Sequence, residues 1–330
     1  MIFPLILREI LSAVLKTPTL GLIEQKPDER DFSYDDVVLG AGSYKPKKDV
    51  HILKTLSVKS QQPFNTCCFA SVTAQKEVQE GVELSVKSVV THARKSGRLE
   101  KDGYSTLRNA QTTLIAFGAT ESSILDDSRT DFATYASPKN LTSAVVDNAA
   151  KHRSKRYYAV SGKDAWFHAL DSGHVIQTWM DWRTGYNMSG GLRSPFVLRI
   201  GSGISVGGHA FICIGYDLKK GLMVFQNSFG RSYGDNGRFY ATIHDWFNIV
   251  KSVGYVTVDM DDAPLIRSYE GKDVKAKDDP RIYRVEKGTK RLFSDERVFF
   301  KHGGRFGSDK TWVEVSSSLL QSIPDGAIMS

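Results

Sequence analysis

Cysteine is scarce in this chain: of 330 residues only Cys67, Cys68 and Cys213 are cysteines. So few, and an odd number, exclude a disulfide framework. Neighbouring Cys67 and Cys68 do not readily bridge each other, so the fold is not expected to depend on oxidation. No Cys/His cluster has the spacing of a metal site, and neither a metal nor an organic cofactor is expected. Charge of one sign is also nearly absent as a pattern. Lys and Arg total 44 against 37 Asp and Glu, a net charge of +7, but the basic residues are scattered. None forms the run that marks a nucleic-acid arm, so no nucleic-acid partner is expected.

Long apolar runs are missing too. The opening stretch MIFPLILREILSAVLKTPTLGL is apolar, yet Arg8, Glu9 and Lys16 interrupt it. It is too short to span a bilayer and lacks the uninterrupted core and small-residue cleavage site of a signal peptide. No stable membrane insertion and a cytoplasmic or virion-associated location are expected, with secretion kept as the alternative. Ile6, Ile10, Leu11, Val14 and Leu15 have helical spacing, which predicts a short amphipathic helix packed on the body of the protein or on a protein partner.

What is present is an ordinary globular composition, 41% apolar, with a change of character along the chain. Residues 1–44 read as the amphipathic helix followed by an extended arm rich in Pro, Asp and Gly. After a strand candidate at His51–Val58 and a polar loop at Ser60–Thr66, helical patterns run from Cys68 to a stop at Gly81, over Ser85–Ser96, and over Ser105–Phe117 to Gly118. Beyond about residue 150 short β-rich runs dominate: Tyr157–Val160, His174–Trp179, Phe211–Tyr216, Leu222–Asn227, Arg238–Thr242 and Val253–Asp259. Helices first and sheet second predict an α+β domain over 45–260, made of two packed parts with a substrate cleft between them. Residues 261–281 read as a linker. Residues 282–330 read as a small β-rich C-terminal module, with strands in YRV, RLF, VFF and TWVEV, that leans on the main domain or a protein partner.

Three segments carry chemistry. Cys68 stands where the polar loop meets the first strong helix. An ordinary thiol, with pKa about 8.5, needs an imidazolium and a helix N-terminus to become a thiolate nucleophile. Six residues earlier stands Gln62, in Gln62-Pro-Phe-Asn-Thr-Cys67-Cys68-Phe69-Ala70. His209 follows two glycines and opens the apolar run of Gly207-Gly208-His209-Ala210-Phe211, and glycine lets backbone or substrate approach closely. Asn227 lies in Phe225-Gln226-Asn227-Ser228-Phe229-Gly230, ahead of Ser232-Tyr233-Gly234-Asp235-Asn236-Gly237-Arg238-Phe239.

In this order and spacing the three segments resemble the papain-like, C1-type cysteine peptidases, and the resemblance covers about residues 45–260. It implies a two-subdomain fold, with a helical left lobe and a β-barrel-like right lobe. It also implies a cysteine endopeptidase acting on protein or peptide substrates. By the resemblance Cys68 is the nucleophile, His209 the base, Asn227 the residue that orients the imidazole, and Gln62 an oxyanion-hole donor. Phe229 and Tyr233 replace the two tryptophans of the family pattern, Pro63 replaces a glycine, and the family disulfide is missing. A weaker match at Glu100–Ala110 makes Gly103 and Tyr104 substrate-binding candidates, and Gly208 joins them; Leu84-Ser85 resembles the family's Leu-Ser helix start, with Ser85 as N-cap. Family members often carry a long inhibitory pro-segment; only 67 residues precede Cys68, and Lys26–Phe32 resembles the arm of short prokaryotic-type members, so the resemblance allows an N-terminal plug without implying one. The alternative is a catalytically silent papain-fold structural or binding protein, for example a virion or surface component.

Overall fold

The computed structural model describes residues 19–25, 28, 31–35, 44–186, 195–259, 269–276 and 279–330. The amphipathic helix expected over Ile6–Leu15 lies outside them. Among the described residues no helix is long and apolar enough to cross a membrane. The chain divides into two compact units. One comprises Met1–Lys26, Pro46–Arg156 and Ala169–Asp259; the other comprises Pro27–Lys45, Tyr157–His168 and Met260–Ser330.

The first unit is α+β. Helix α1, Cys67–Glu80, is buried from Cys67 through Glu77, so its polar side chains must find partners inside. Lys76 pairs with Glu80 at 2.7 Å and Asp259 at 2.8 Å, while Glu77 meets Lys59 at 2.5 Å and accepts from the Leu84 N–H. The helix ends at Gly81 in the left-handed region (φ 72°), which donates back to Glu77 O. Helix α2, Val86–Lys95, starts from Ser85, whose hydroxyl accepts from the Ser88 N–H. Helix α3, Leu107–Phe117, begins two residues later than expected, because Thr106 is its cap and Ser105 stays extended. It stops at Gly118, where a Cβ would sit 1.9 Å from the Ala149 carbonyl oxygen.

The sheet of this unit contains β1 (Val50–Ile52), β2 (Ile176–Arg183), β3 (Ser205–Asp217), β4 (Leu222–Gln226), β5 (Arg238–Thr242) and β6 (Gly254–Val258). Its order is β6-β2-β3-β4-β5, all antiparallel, with β1 also pairing β3. The long strand β3 is buried from His209 to Tyr216, and its register sets Met180 opposite His209 and Asp181 opposite Gly208. Ala74 of α1 packs with Val175, Ile212, Ile214 and Val224, which seats the helix on the sheet.

In the second unit, β7 (Asp273–Ala276), β8 (Tyr283–Glu286), β9 (Thr289–Leu292) and β10 (Trp312–Val315) form a sheet of order β9-β8-β7-β10. Strand β7 comes from the stretch expected to be linker. Its Asp273 is buried against Arg284 at 2.7 Å. The expected strand VFF is instead helix α4, Glu296–Lys301. Asp295 accepts from the N–H groups of Arg297 and Val298, and this cap overrides the β preference of Val and Phe. Phe299 thereby joins Ile282, Phe293 and Met329 in a small core. A last helix, α5 (Ser317–Ser322), follows β10.

Candidate active site

The site forms where the start of α1 meets the start of β3. Thr66 precedes the helix without a side-chain cap, and no acidic residue stands in the first turn, so the positive helix end is left for another anion. Successive helical residues point about 100° apart, so only one of two adjacent cysteines can face a given neighbour. The thiol that lies against His209 is that of Cys67. Burial would push this thiol up. The neighbouring Cys68 thiol, the His209 imidazole and the Ala210 N–H together outweigh it and hold Cys67 well below the ordinary thiol range.

Cys68, the nucleophile expected from the sequence, points elsewhere. Its thiol donates to the Ser105 carbonyl at 3.3 Å and lies 3.8 Å from that of Gly21. Burial and the adjacent Cys67 raise it well above the ordinary range. The third cysteine, Cys213, is buried in the sheet and pushed up to about 12, which leaves it unreactive.

His209 and Asn227 are brought together as expected. His209 Nε2 lies 2.7 Å from Asn227 Oδ1. That oxygen also accepts from the Ser228 N–H at 2.7 Å, which fixes it as the acceptor and puts the proton on Nε2. Nδ1 is buried with no hydrogen-bond partner among the described residues, which leaves it open to the thiol. Phe229 stacks on the imidazole at 4.3 Å and Trp182 meets it edge-on at 4.7 Å. Tyr233 packs on both aromatics, at 5.6 and 6.0 Å. The wall that keeps water from the His–Asn bond therefore includes Trp182, which only the β2–β3 pairing brings there.

The glutamine of the site also differs by one residue. Gln61 is fully buried. Its backbone N–H donates to Ser228 O at 2.7 Å and its Oε1 accepts from the Ser228 hydroxyl at 2.8 Å. Nε2 is thus left to donate to the carbonyls of Thr19 at 2.8 Å and Phe64 at 3.2 Å. Gln62, the expected donor, is half-buried; its Oε1 accepts from Thr19 Oγ1 at 2.9 Å and its Nε2 reaches the same Thr19 carbonyl only at 3.4 Å. Gln61 and Cys67 stand six residues apart, as do Gln62 and Cys68, so the doubled letters satisfy the same spacing twice.

Residues 19–25 run through the groove. Leu22 bridges Ser105 on one side and Gly208 on the other. Ser105 N–H donates to Gly21 O at 2.9 Å, and Ile23 N–H donates to Ser105 O at 2.7 Å. Further along, Gln25 Nε2 donates to the Tyr255 hydroxyl at 2.6 Å and its Oε1 accepts from the Arg108 N–H at 3.1 Å. The fit is close. A Cβ on Gly21 would lie 1.8 Å from Asn65 O, and one on Gly208 would lie 2.7 Å from a Leu22 methyl. Of the expected substrate-binding residues, Gly208 therefore faces the segment. Gly103 (φ 93°) instead turns the chain beside Asn65 and Phe132, and the Tyr104 carbonyl accepts from Glu100; the edge that pairs with the segment is Ser105.

Solved structures share this architecture. Xylellain, a cysteine protease from Xylella fastidiosa, matches with a TM-score of 0.58 at 19% identity, over 74% of this chain and 97% of that one. Digestive procathepsin L 3 of the Tenebrio molitor larval midgut matches with a TM-score of 0.54 at 17% identity, over 76% and 79%. The fold is that of the papain-like cysteine proteases. No protein-family model and no curated protein matches the sequence. The expected fold class, α+β with a papain-like body, agrees with these matches.

Proposed function

We propose that this chain is a cysteine peptidase that hydrolyses peptide bonds, with Cys67 as nucleophile and His209 as its acid–base partner. One observation carries the reading: the imidazole that faces the Cys67 thiol has its far nitrogen held 2.7 Å from a buried carboxamide oxygen. The Cys67 thiolate attacks the scissile carbonyl carbon and a C–S bond forms. Gln61 Nε2 and the Cys67 N–H receive the developing oxyanion, a contribution of roughly 3–4 kcal/mol for such a donor. The C–N bond breaks as imidazolium gives its proton to the leaving amine. Water, deprotonated by His209, then hydrolyses the thioester and restores the thiol. Asn227 keeps the imidazole in the tautomer and plane this needs.

On this reading residues 19–25 are an internal blocker. They pair with both edges of the groove and set the Thr19 carbonyl on the Gln61 amide that the substrate oxyanion needs. Valine at position 21 would collide with Asn65 and lift the segment away. The test is peptide hydrolysis and covalent labelling by an epoxide or vinyl-sulfone peptide, in the full chain carrying Gly21→Val. Labelling and turnover are expected to vanish with Cys67→Ala and to survive Cys68→Ala. Undiminished labelling after Cys67→Ala refutes the assignment.

A further inference from the structure

The glutamine that donates into the groove sits on a loop whose two flanking carbonyls are both taken by one side chain. Arg129 Nη1 donates to Gln62 O at 2.6 Å, and its Nη2 donates to Ser60 O. These two carbonyls bracket Gln61. The other backbone groups of this turn are tied elsewhere: Gln61 N–H to Ser228 O at 2.7 Å and Phe64 N–H to Gln61 O at 2.9 Å. Arg129 thus supplies the donors that the loop itself lacks.

The arginine is itself anchored. Two residues earlier, Asp127 Oδ1 accepts from the Lys87 N–H at 2.8 Å and the Ser85 hydroxyl at 3.1 Å, at the start of α2. The guanidinium lies 6.0 Å from the centroid of the buried Tyr135 ring, which packs on Phe64 of the same loop at 4.9 Å. A planar fork can satisfy two carbonyls at once, whereas a lysine ammonium is a single point charge. Resting on the peptidase reading, we infer that Arg129 is a positioning residue of the oxyanion hole: its fork holds the Gln61 peptide so that Nε2 meets the oxyanion.

The test compares two reactions of the full chain carrying Gly21→Val: hydrolysis of a peptide amide, and alkylation of Cys67 by iodoacetamide. Alkylation is a displacement at saturated carbon and forms no oxyanion. Arg129→Met is expected to lower kcat about 10- to 100-fold with little change in KM, the scale of a small misplacement of a catalytic group. The alkylation rate should stay unchanged, and Arg129→Lys should recover only part of the loss. Added to Gln61→Ala, Arg129→Met should cost almost nothing more, because the group it positions is gone. Alkylation at pH 6, where the ordinary thiols of an unfolded chain react slowly, counts the folded sites, so kcat is expressed per reactive thiol even if the variant folds poorly; Arg129→Lys gives a second reading of the same effect. The inference is overturned by wild-type kcat in Arg129→Met, by equal losses in both reactions, or by a loss that adds in full to that of Gln61→Ala. If hydrolysis in the parent does not depend on Cys67, the peptidase reading falls and takes the inference with it. If it does depend on Cys67 and Arg129→Met leaves it intact, only the arginine's role falls.

Discussion

Residues 60–69 and residues 208–229 line the same groove but are held by different means. On the first side a loop runs into α1, and neighbouring side chains diverge around the helix axis. Cys67 meets the imidazole while Cys68 turns to the Ser105 carbonyl. On the second side β3 and β4 lie in an antiparallel ladder, where side chains alternate between faces and a shift of one residue would reverse them all. His209 is pinned opposite Met180, and Asn227 follows directly on β4. The comparison teaches that a ladder fixes which way a residue faces, whereas a helix start can offer either of two neighbours to the same partner.

The sharpest way to break this comparison is to exchange the neighbours on the helix side. In the Gly21→Val chain, Cys67→Ala should lower kcat/KM for a peptide substrate by roughly 10⁴-fold or more. Cys68→Ala should cost far less, about tenfold or under, since its thiol helps hold Cys67 low but turns to the Ser105 carbonyl and not to the imidazole. The same exchange at the glutamines should be smaller. Gln61→Ala should lower kcat by roughly 10²–10³-fold, the usual loss for one oxyanion donor, and Gln62→Ala by less than about threefold.

The strand side is tested by pH. Because the Cys67 thiol is held well below its ordinary range, its alkylation rate should level off at a lower pH than that of an ordinary thiol. His209→Ala removes the imidazolium. The rate should then climb with pH until about 8.5, and at pH 6 it should be roughly 100-fold below the parent. A flat profile in His209→Ala would mean that the thiolate owes nothing to β3. Releasing the blocker comes next: Gly21→Val alone should raise turnover of the full chain at least about tenfold, since a tethered ligand acts at millimolar effective concentration.

The smallest effect contrasts two buried histidines. His209 has a partner; His92 on α2, stacked on Phe117 at 4.9 Å, has a buried Nε2 with none. Burial, with Lys95 and Arg153 nearby, lowers His92 to about 4. Unfolding frees it to take up a proton, so its share of stability is intact above about pH 6.5 and is lost as pH falls from there towards 4. His92→Phe should remove that slope, narrowing the drop in Tm between pH 7.5 and pH 5 by about 2 °C.

Much of the body could be read from residue pattern. Gly81 and Gly118 end their helices, Ser85 caps α2, and glycine and aromatic spacing mark the strands around His209 and Asn227. What could not be read has physical causes. The doubled Gln61-Gln62 and Cys67-Cys68 admit two registers with identical spacing, and the Phe-Ala that follows favours the one that the fold does not bring to the imidazole. Trp182 and Ser105 belong to the groove only through pairings between segments far apart in sequence. Arg129 lies in a charged loop with no periodicity to single it out. In the second unit a three-residue β-forming run lost to a single aspartate cap, and a charged stretch still held enough alternation to supply β7.

On the peptidase reading, release of the segment across the groove is first order, because it belongs to the chain it covers. Diluting the protein leaves the fraction of open molecules unchanged, unlike an enzyme shut by a separate inhibitor. A preparation would wake at the same rate at nanomolar and micromolar concentration, unless open copies cut the segments of closed ones, in which case the onset would quicken as the protein is concentrated.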